Sequence, residues 1–316
     1  MELRSPTNRD IVLGAIVPNR STRALYTRQL EHEVKTMAAS YAHWLGIVYP
    51  RVLAQAKASD RVVLAQDAAS RPTAKGRGKN TDALFVELKR LDGYWSARTQ
   101  RFAEKTATRM ARTWIKENTI AWEAKLKRKG FAIKLQLTER QQTFFKVKVQ
   151  ENVALIKSIQ KQYHTDVEGI VSRGFLAGRD LATVSEALTK RYGISTRRAA
   201  LIARDQANKA TAQLNATRQD ELGLHRATWI HSHAGVTPRP DHERAGREGW
   251  EYDTRVGIDF GDGFGFVQPG EAIGCRCTGR SIIPALNRYG NANYALKDLG
   301  KFKGVLVPLP KIPNKS

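Results

Sequence analysis

The chain has 316 residues, and 53 Lys+Arg against 30 Asp+Glu give it a formal charge of +23. That length accommodates two domains, and an apolar content of 41% excludes a chain disordered throughout. Two cysteines exclude a disulfide scaffold, and the longest strongly apolar stretch, Ile11–Val17, is too short to span a bilayer and shows no leader-cleavage pattern. The expectation is a soluble protein, made in a cytosol-like compartment, without membrane insertion.

Residues 20–66 read mainly as helix, with Leu25, Leu30, Val34, Met37, Tyr41, Leu45 and Val48 recurring at spacings of three to five and Pro50 expected to interrupt the run. Residues 67–80 are small, basic and punctuated by Gly and Pro, and read as a mobile loop or linker. A long helical region follows over about 82–129, with a break expected at Asp92-Gly93. Its apolar stripe carries Trp95, Trp114 and Trp122, which that position assigns to core packing rather than to base stacking. Phe131–Leu137 is extended in character, and Thr138 with Gln141 is placed as a capping box for a helix to Val171.

Arg173–Asp180 reads as a turn, Val184–Tyr192 as a helix stopped by Gly193, and Ser195 as the N-cap of a helix from Thr196 to Leu222 closed by Gly223. Beyond Gly223 the helical period fades. His225–His233 alternates as a strand, Thr237–Arg247 holds a turn and short helix, Gly249–Pro269 reads as hairpin and loop, and Gly274–Ile283 as an extended segment. Gly261-Asp-Gly-Phe-Gly265 lacks the ending of a phosphate loop and reads as a turn in which Gly supplies positive φ. The fold class is therefore α+β. It comprises a helical basic region over 1–165, a helix-plus-antiparallel-strand module over 166–284 and an extended basic tail over 285–316 with a Pro-rich string at 305–313.

Charge is concentrated towards the N-terminus. Residues 51–150 hold 23 basic and 9 acidic side chains, a field that attracts polyanions. Double-stranded DNA held without sequence preference is the expected partner, an acidic protein surface or anionic lipid the alternative. The candidate phosphate contacts are Arg98, Arg101, Lys105, Arg109 and Arg112, which recur at three or four along one helix, and the cluster Lys125, Lys127, Arg128 and Lys129.

The chemistry-bearing residues gather in the last third. His231, His233, His242, Cys275 and Cys277 are all side chains that zinc accepts, and four of the five suffice for a tetrahedron. On a strand, His231 and His233 would share a face, as would Cys275 and Cys277. The competing reading is a local packing motif with two reduced thiols. A hydrolase would use His242 as general base beside Asp241 and Glu243, with Cys275 as nucleophile only if Arg276 stabilised its thiolate. No constellation for two catalytic metals stands out, and the expectation is a protein that is not an enzyme.

An ordered set of pieces here resembles the phage Mu protein F family of minor head (head morphogenesis) proteins. They are the helix Arg197-Arg-Ala-Ala-Leu-Ile-Ala-Arg-Asp-Gln206 continuing to Glu221-Leu-Gly223, and the tryptophan strand Ala227-Thr-Trp-Ile-His231. Arg239-Pro-Asp-His242 follows, then Pro269-Gly-Glu-Ala-Ile-Gly-Cys-Arg-Cys277. The resemblance covers about residues 170–284 and not the basic N-terminal half. The chain departs from the family at His231-Ser-His-Ala-Gly235, where members carry an acidic residue and short turn. The resemblance implies a virion protein present in few copies at the portal vertex or inside the head, and in host cytoplasm during assembly. Its implied partners are portal and capsid or scaffolding proteins, with a role in packaging or ejection. Trp229, Arg239, His242, Cys275 and Cys277 would form the module's structural centre. Because the module also occurs in toxin-like fusions, a metal-dependent nuclease or effector delivered with the DNA is the alternative.

Overall fold

The computed structural model describes residues 3–7, 9–66, 75–234, 238–285, 294–299 and 301–308. Its elements in chain order are β1 (Ile11–Val12), α1 (Arg20–Gln66), α2 (Lys75–Lys127), α3 (Glu139–Leu176), α4 (Leu181–Glu221), β2 (Arg226–Ile230), α5 (Pro240–Glu248), β3 (Glu251–Asp253), β4 (Ile258–Asp259), β5 (Phe266–Val267), β6 (Thr278–Ile283), β7 (Tyr294–Leu299) and β8 (Phe302–Pro308). The fold is α+β. Among the described residues no helix is long and apolar enough to cross a membrane.

The chain forms two compact units, and neither is a continuous stretch. A helical unit takes Leu25–Ala107 and Gln150–Ala203, and a sheet unit takes Met1–Ala24, Thr108–Val149 and Arg204–Ser316. The sequence boundaries expected at 165/166 and 284/285 therefore do not coincide with these units. A single long helix such as α2 supplies residues to both, which periodicity along the chain cannot reveal.

In the helical unit four helices each contribute a stripe at spacings of three and four. Met37, Tyr41, Leu45, Val48, Tyr49 and Val52 of α1 pack with Leu84, Leu88, Leu91 and Trp95 of α2, with Tyr163, Val167 and Val171 of α3, and with Val184 and Leu188 of α4. Two of its buried polar side chains pair across helices within the unit: Tyr26 Oη donates to Asn152 Oδ1 at 2.7 Å, and Trp95 Nε1 to Ser40 Oγ at 3.1 Å. The α1 stripe is set one residue later than expected at its start, because Tyr26 is fully buried while Leu25 is exposed.

Three expected helix breaks are absent. α1 runs through Pro50, where the burial of Val48, Tyr49 and Val52 outweighs one missing backbone bond, and the carbonyl that the proline ring crowds belongs to the side-chain-free Gly46. α2 runs through Asp92-Gly93, and α4 through Gly193 and Ser195. Glycine in a helix interior costs about 1 kcal/mol but ends the helix only where it turns left-handed, as Gly178 and Gly223 do at φ +62 and +67. Ser195 is accordingly a buried mid-helix residue rather than a cap. Asn19 does cap a helix, accepting from the Ser21 and Thr22 amides at the start of α1. Of the Thr138/Gln141 capping box one arm forms, the Gln141 amide reaching Thr138 Oγ1 at 3.4 Å, while the Gln141 side chain turns to Arg218. Residues 75–80 belong to α2 rather than to a linker, and residues 67–74 of that expected loop lie outside the described residues.

The sheet unit is built on β2. Its strand order is β1-β6-β2-β3-β8-β4-β5, with β7 on the side of β8, and every strand pair is antiparallel. β2 lies between β6 and β3, with Trp229 opposite Gly279 and Ala227 opposite Ser281 and Tyr252. The C-terminal segment read as an extended tail instead pairs into this sheet. β7 and β8 form an antiparallel pair, β8 joins β3 and β4, and Phe302 and Val305 enter the core. β3 offers an unpaired edge on its far side from β2, and an apolar segment without interior proline fills it. β8 ends at Pro308, which has no N–H for the ladder, and the rest of the Pro-rich string, 309–313, lies outside the described residues.

Candidate functional site

The site is assembled at the end of β2 by α5 and by the turn before β6. Arg239 stands at the N-cap position of α5 with extended backbone (φ −73, ψ 121) and Pro240 follows in the first turn, a placement that suits proline because that amide has no helical partner. α5 buries His242 and Ala245 and ends at the left-handed Gly249. It can lie this close to β2 because residue 246 is glycine. A Cβ there would stand 2.5 Å from His231 Cβ and 2.6 Å from its backbone nitrogen. Gly246→Ala is expected to cost about 1–3 kcal/mol as an overpacked contact against backbone. A urea midpoint equal to that of the unaltered protein would contradict that close approach.

The turn carrying the cysteines is pinned by α4. The Gly274 amide donates to Asp205 Oδ1 at 2.7 Å, and Asn208 Nδ2 donates to the Cys275 carbonyl at 2.8 Å. The Cys275 amide closes a turn onto the Ala272 carbonyl. Gly270, at φ +93, lies against the Cys277 carbonyl, which a Cβ would approach to 3.1 Å.

These supports bring His242, Cys275 and Cys277 together. His242 Nδ1 lies 3.5 Å from Cys275 Sγ and 3.8 Å from Cys277 Sγ, all three donor atoms lie within 4.8 Å of one another, and all three side chains are buried. The Cys277 amide points at Cys275 Sγ at 3.4 Å. Cys275 is held below the usual thiol range by its hydrogen bond with Cys277 and then by His242, against the opposing effect of burial. Cys277 is pushed up by that same bond and by burial. Around the triad sits an aromatic box in which Trp229 meets His242 edge-on at 5.1 Å and Phe260 at 4.9 Å, while Phe260 lies tilted against His242 at 4.3 Å. His242 Nε2 is buried without a hydrogen-bond partner, and Asp262 Oδ2 stands 4.0 Å away. On its other side the triad borders a cavity of about 520 Å³ that Arg204, His231, Arg239 and Arg276 also line.

Trp229, Arg239, His242, Cys275 and Cys277 are thus brought together around one core. Arg239 reaches the cysteine turn by donating from Nη2 to the Ile273 carbonyl at 2.9 Å, and its guanidinium lies 5.1 Å over the Phe264 ring. Of the five candidate metal ligands three converge. His231 and His233 pair with each other instead, their rings edge to face at 4.6 Å and their Nδ1 atoms 3.3 Å apart. They do not share a strand face, because β2 ends at Ile230 and His233 is left-handed at φ 50. Burial and the neighbouring His233 hold the His231 pKa down. Asp262, Asp205 and Asn208 were not legible as site residues. Asp262 sits in the glycine turn 261–265, where all three glycines have positive φ, and only that turn's return over α5 places its carboxylate by His242.

The candidate phosphate contacts divide between the units. Arg101 and Lys105 are exposed on the helical unit, while Arg98 is half-buried, pairs with Glu33 at 3.3 Å and lies 5.1 Å over the Trp95 ring. Arg109, Arg112, Lys127, Arg128 and Lys129 are exposed on the sheet unit, and Lys125 is half-buried beside Gly14. Trp95, Trp114 and Trp122 are buried, as core packing requires.

No family model matches the chain, and no solved structure matches it. A stretch of 139 residues, 43% of the chain, is 31% identical to an uncharacterized protein of Haemophilus influenzae and covers 28% of that protein's length.

Proposed function

We propose that this protein is a minor head morphogenesis protein of a tailed phage, carried in the virion at the portal vertex or head interior after assembly in host cytoplasm. The observation that carries this reading is the convergence of Trp229, Arg239, His242, Cys275 and Cys277. These residues come from three separate segments, and the resemblance to the Mu protein F family groups them as one structural centre; Trp229, His242, Cys275 and Cys277 are buried against one another, and the half-exposed Arg239 hydrogen-bonds the turn that carries the cysteines. The sheet unit would then dock portal, capsid or scaffolding protein, and the exposed basic side chains of α2 would hold packaged double-stranded DNA through its phosphates.

Mass spectrometry of purified particles tests the assignment. A few to tens of copies per particle is the expected result, and absence from particles would overturn a virion role. DNA contact has its own measurement. Affinity for random-sequence duplexes should fall steeply with salt. The combined variant R101Q/K105Q/R109Q/R112Q should flatten the log–log salt slope by about three to four, close to 0.9 per lost phosphate contact. Salt-insensitive or sequence-selective binding would remove DNA from the reading. The nuclease or effector alternative would use the same His/Cys/Cys triad, and chelator-sensitive cleavage of DNA by the purified chain is the result that would favour it.

A further inference from the structure

We propose that His242 Nδ1, Cys275 Sγ and Cys277 Sγ bind one zinc ion, with a fourth position reached from the adjoining cavity. This assignment stands on the donor set and does not depend on the head-protein reading. Zinc takes thiolate at about 2.3 Å and imidazole nitrogen at about 2.0–2.1 Å, so a tetrahedral ion sets nitrogen and sulfur about 3.6 Å apart. The two observed nitrogen–sulfur separations, 3.5 and 3.8 Å, bracket that value. The nitrogen–sulfur spacing is therefore already that of a closed site, and the two sulfurs, which lie within 4.8 Å of each other, would sit about 3.8 Å apart around the ion.

The surroundings are those of a metal site. A ligating histidine ordinarily directs its second nitrogen to a carboxylate, and Asp262 stands 4.0 Å from His242 Nε2. With Nδ1 on the ion, Nε2 carries the proton, and the buried nitrogen that otherwise lacks a partner has a carboxylate 4.0 Å away. The Cys277 amide directed at Cys275 Sγ is the contact a ligating thiolate receives from backbone. Two thiolates balance the dication, so no net charge is buried in the aromatic box. The scaffold is also pre-set, since Asn208 and Asp205 hold the cysteine turn from α4 and Gly246 sets the depth of α5. His231 lines the cavity but pairs through Nδ1 with His233 and lies outside the group of donor atoms that converge within 4.8 Å.

The ion would join α5 to the turn before β6, adding to the Arg239–Ile273 hydrogen bond that already links them. Because the triad borders the cavity, the fourth position is open to water or to an anion brought there by Arg204, Arg239 and Arg276.

The test uses the full chain produced in zinc-supplemented medium under reducing conditions. Elemental analysis should find one zinc per chain. Replacement by cobalt should give a thiolate-to-cobalt charge-transfer band with tetrahedral ligand-field intensity. Cys275→Ser and Cys277→Ser should each remove that band and the stoichiometric zinc. As those variants can fail to fold, Asp262→Asn is the companion, and it should keep the band while lowering zinc affinity about 10–100-fold. His231→Ala should keep one zinc per chain. An unaltered, folded chain that takes up no stoichiometric zinc, or a cobalt form without the thiolate band, would overturn the assignment. Loss of zinc in His231→Ala would overturn the three-donor set.

Discussion

Replacing Trp229 by alanine is expected to destabilise the sheet unit by about 3–5 kcal/mol, the range for truncating a fully buried aromatic. Trp229 lies on β2, the strand flanked by β6 and β3, and none of its surface is exposed. Its indole meets His242, Phe260 and Tyr252 at 5.1, 4.9 and 6.0 Å with interplanar angles of 83°, 69° and 71°, the edge-to-face geometry that the ring quadrupole favours. The neighbours are held by strand pairing and by α5, so they cannot collapse into the space that the indole leaves. A lowered urea midpoint at unchanged m-value is the expected reading, and Trp229→Phe should lose less because it keeps part of the ring contact. A loss below about 1 kcal/mol for Trp229→Ala would show that the cluster is not a tightly packed core.

Arg226→Ala is the second large effect, expected to cost about 3 kcal/mol, the lower end of the range for breaking a buried ion pair. The Arg226 side chain is 5% exposed and spans two carboxylates, Asp10 from Nη1 at 3.1 Å and Glu251 from Nε at 3.0 Å. Those carboxylates retain 17% and 28% exposure, so water partly replaces the lost cation and the upper end of the range does not apply. Asp10 Oδ1 also accepts from the Ala285 amide at 3.0 Å, so freeing that carboxylate loosens the N-terminal segment together with the end of β6. Arg226→Lys should fall between the two, because an ammonium keeps the charge but lacks the fork that reaches both partners. Equal stability of Arg226→Lys and the unaltered chain would show that the fork is not required.

Both predictions concern the strand that also ends at the candidate metal site, which is why stability and site geometry are expected to move together there. Trp229 contacts His242 directly, so its truncation should weaken any ion held by Nδ1. Arg226 lies at the opposite end of β2, and its replacement should lower the unfolding midpoint while leaving zinc stoichiometry at one per chain. Separate responses of the two variants would distinguish damage to the core around the donors from a general loosening of the sheet.

Legible in the residues alone is the part written in side-chain chemistry and local period. The stripes Met37–Tyr41–Leu45 and Leu84–Leu88–Leu91 identified helix faces because each repeats over several turns. The turns at Gly178, Gly223 and Gly261–Gly265 were legible because positive φ has few alternatives to glycine. His242, Cys275 and Cys277 were legible as candidate ligands from residue type alone. Tertiary structure decided the rest, since each remaining outcome is a competition between a local preference and distant packing. Pro50 and Gly193 remain helical because stripes on either side are buried. β8 becomes a strand because β3 has an edge for it. His231 and His233 drop out of the donor set because β2 stops at Ile230, whereas Asp262 comes to stand beside His242 through a turn whose spacing carries no signal. Two units interleaved along one chain follow from the same cause, for a helix longer than one core must supply the next.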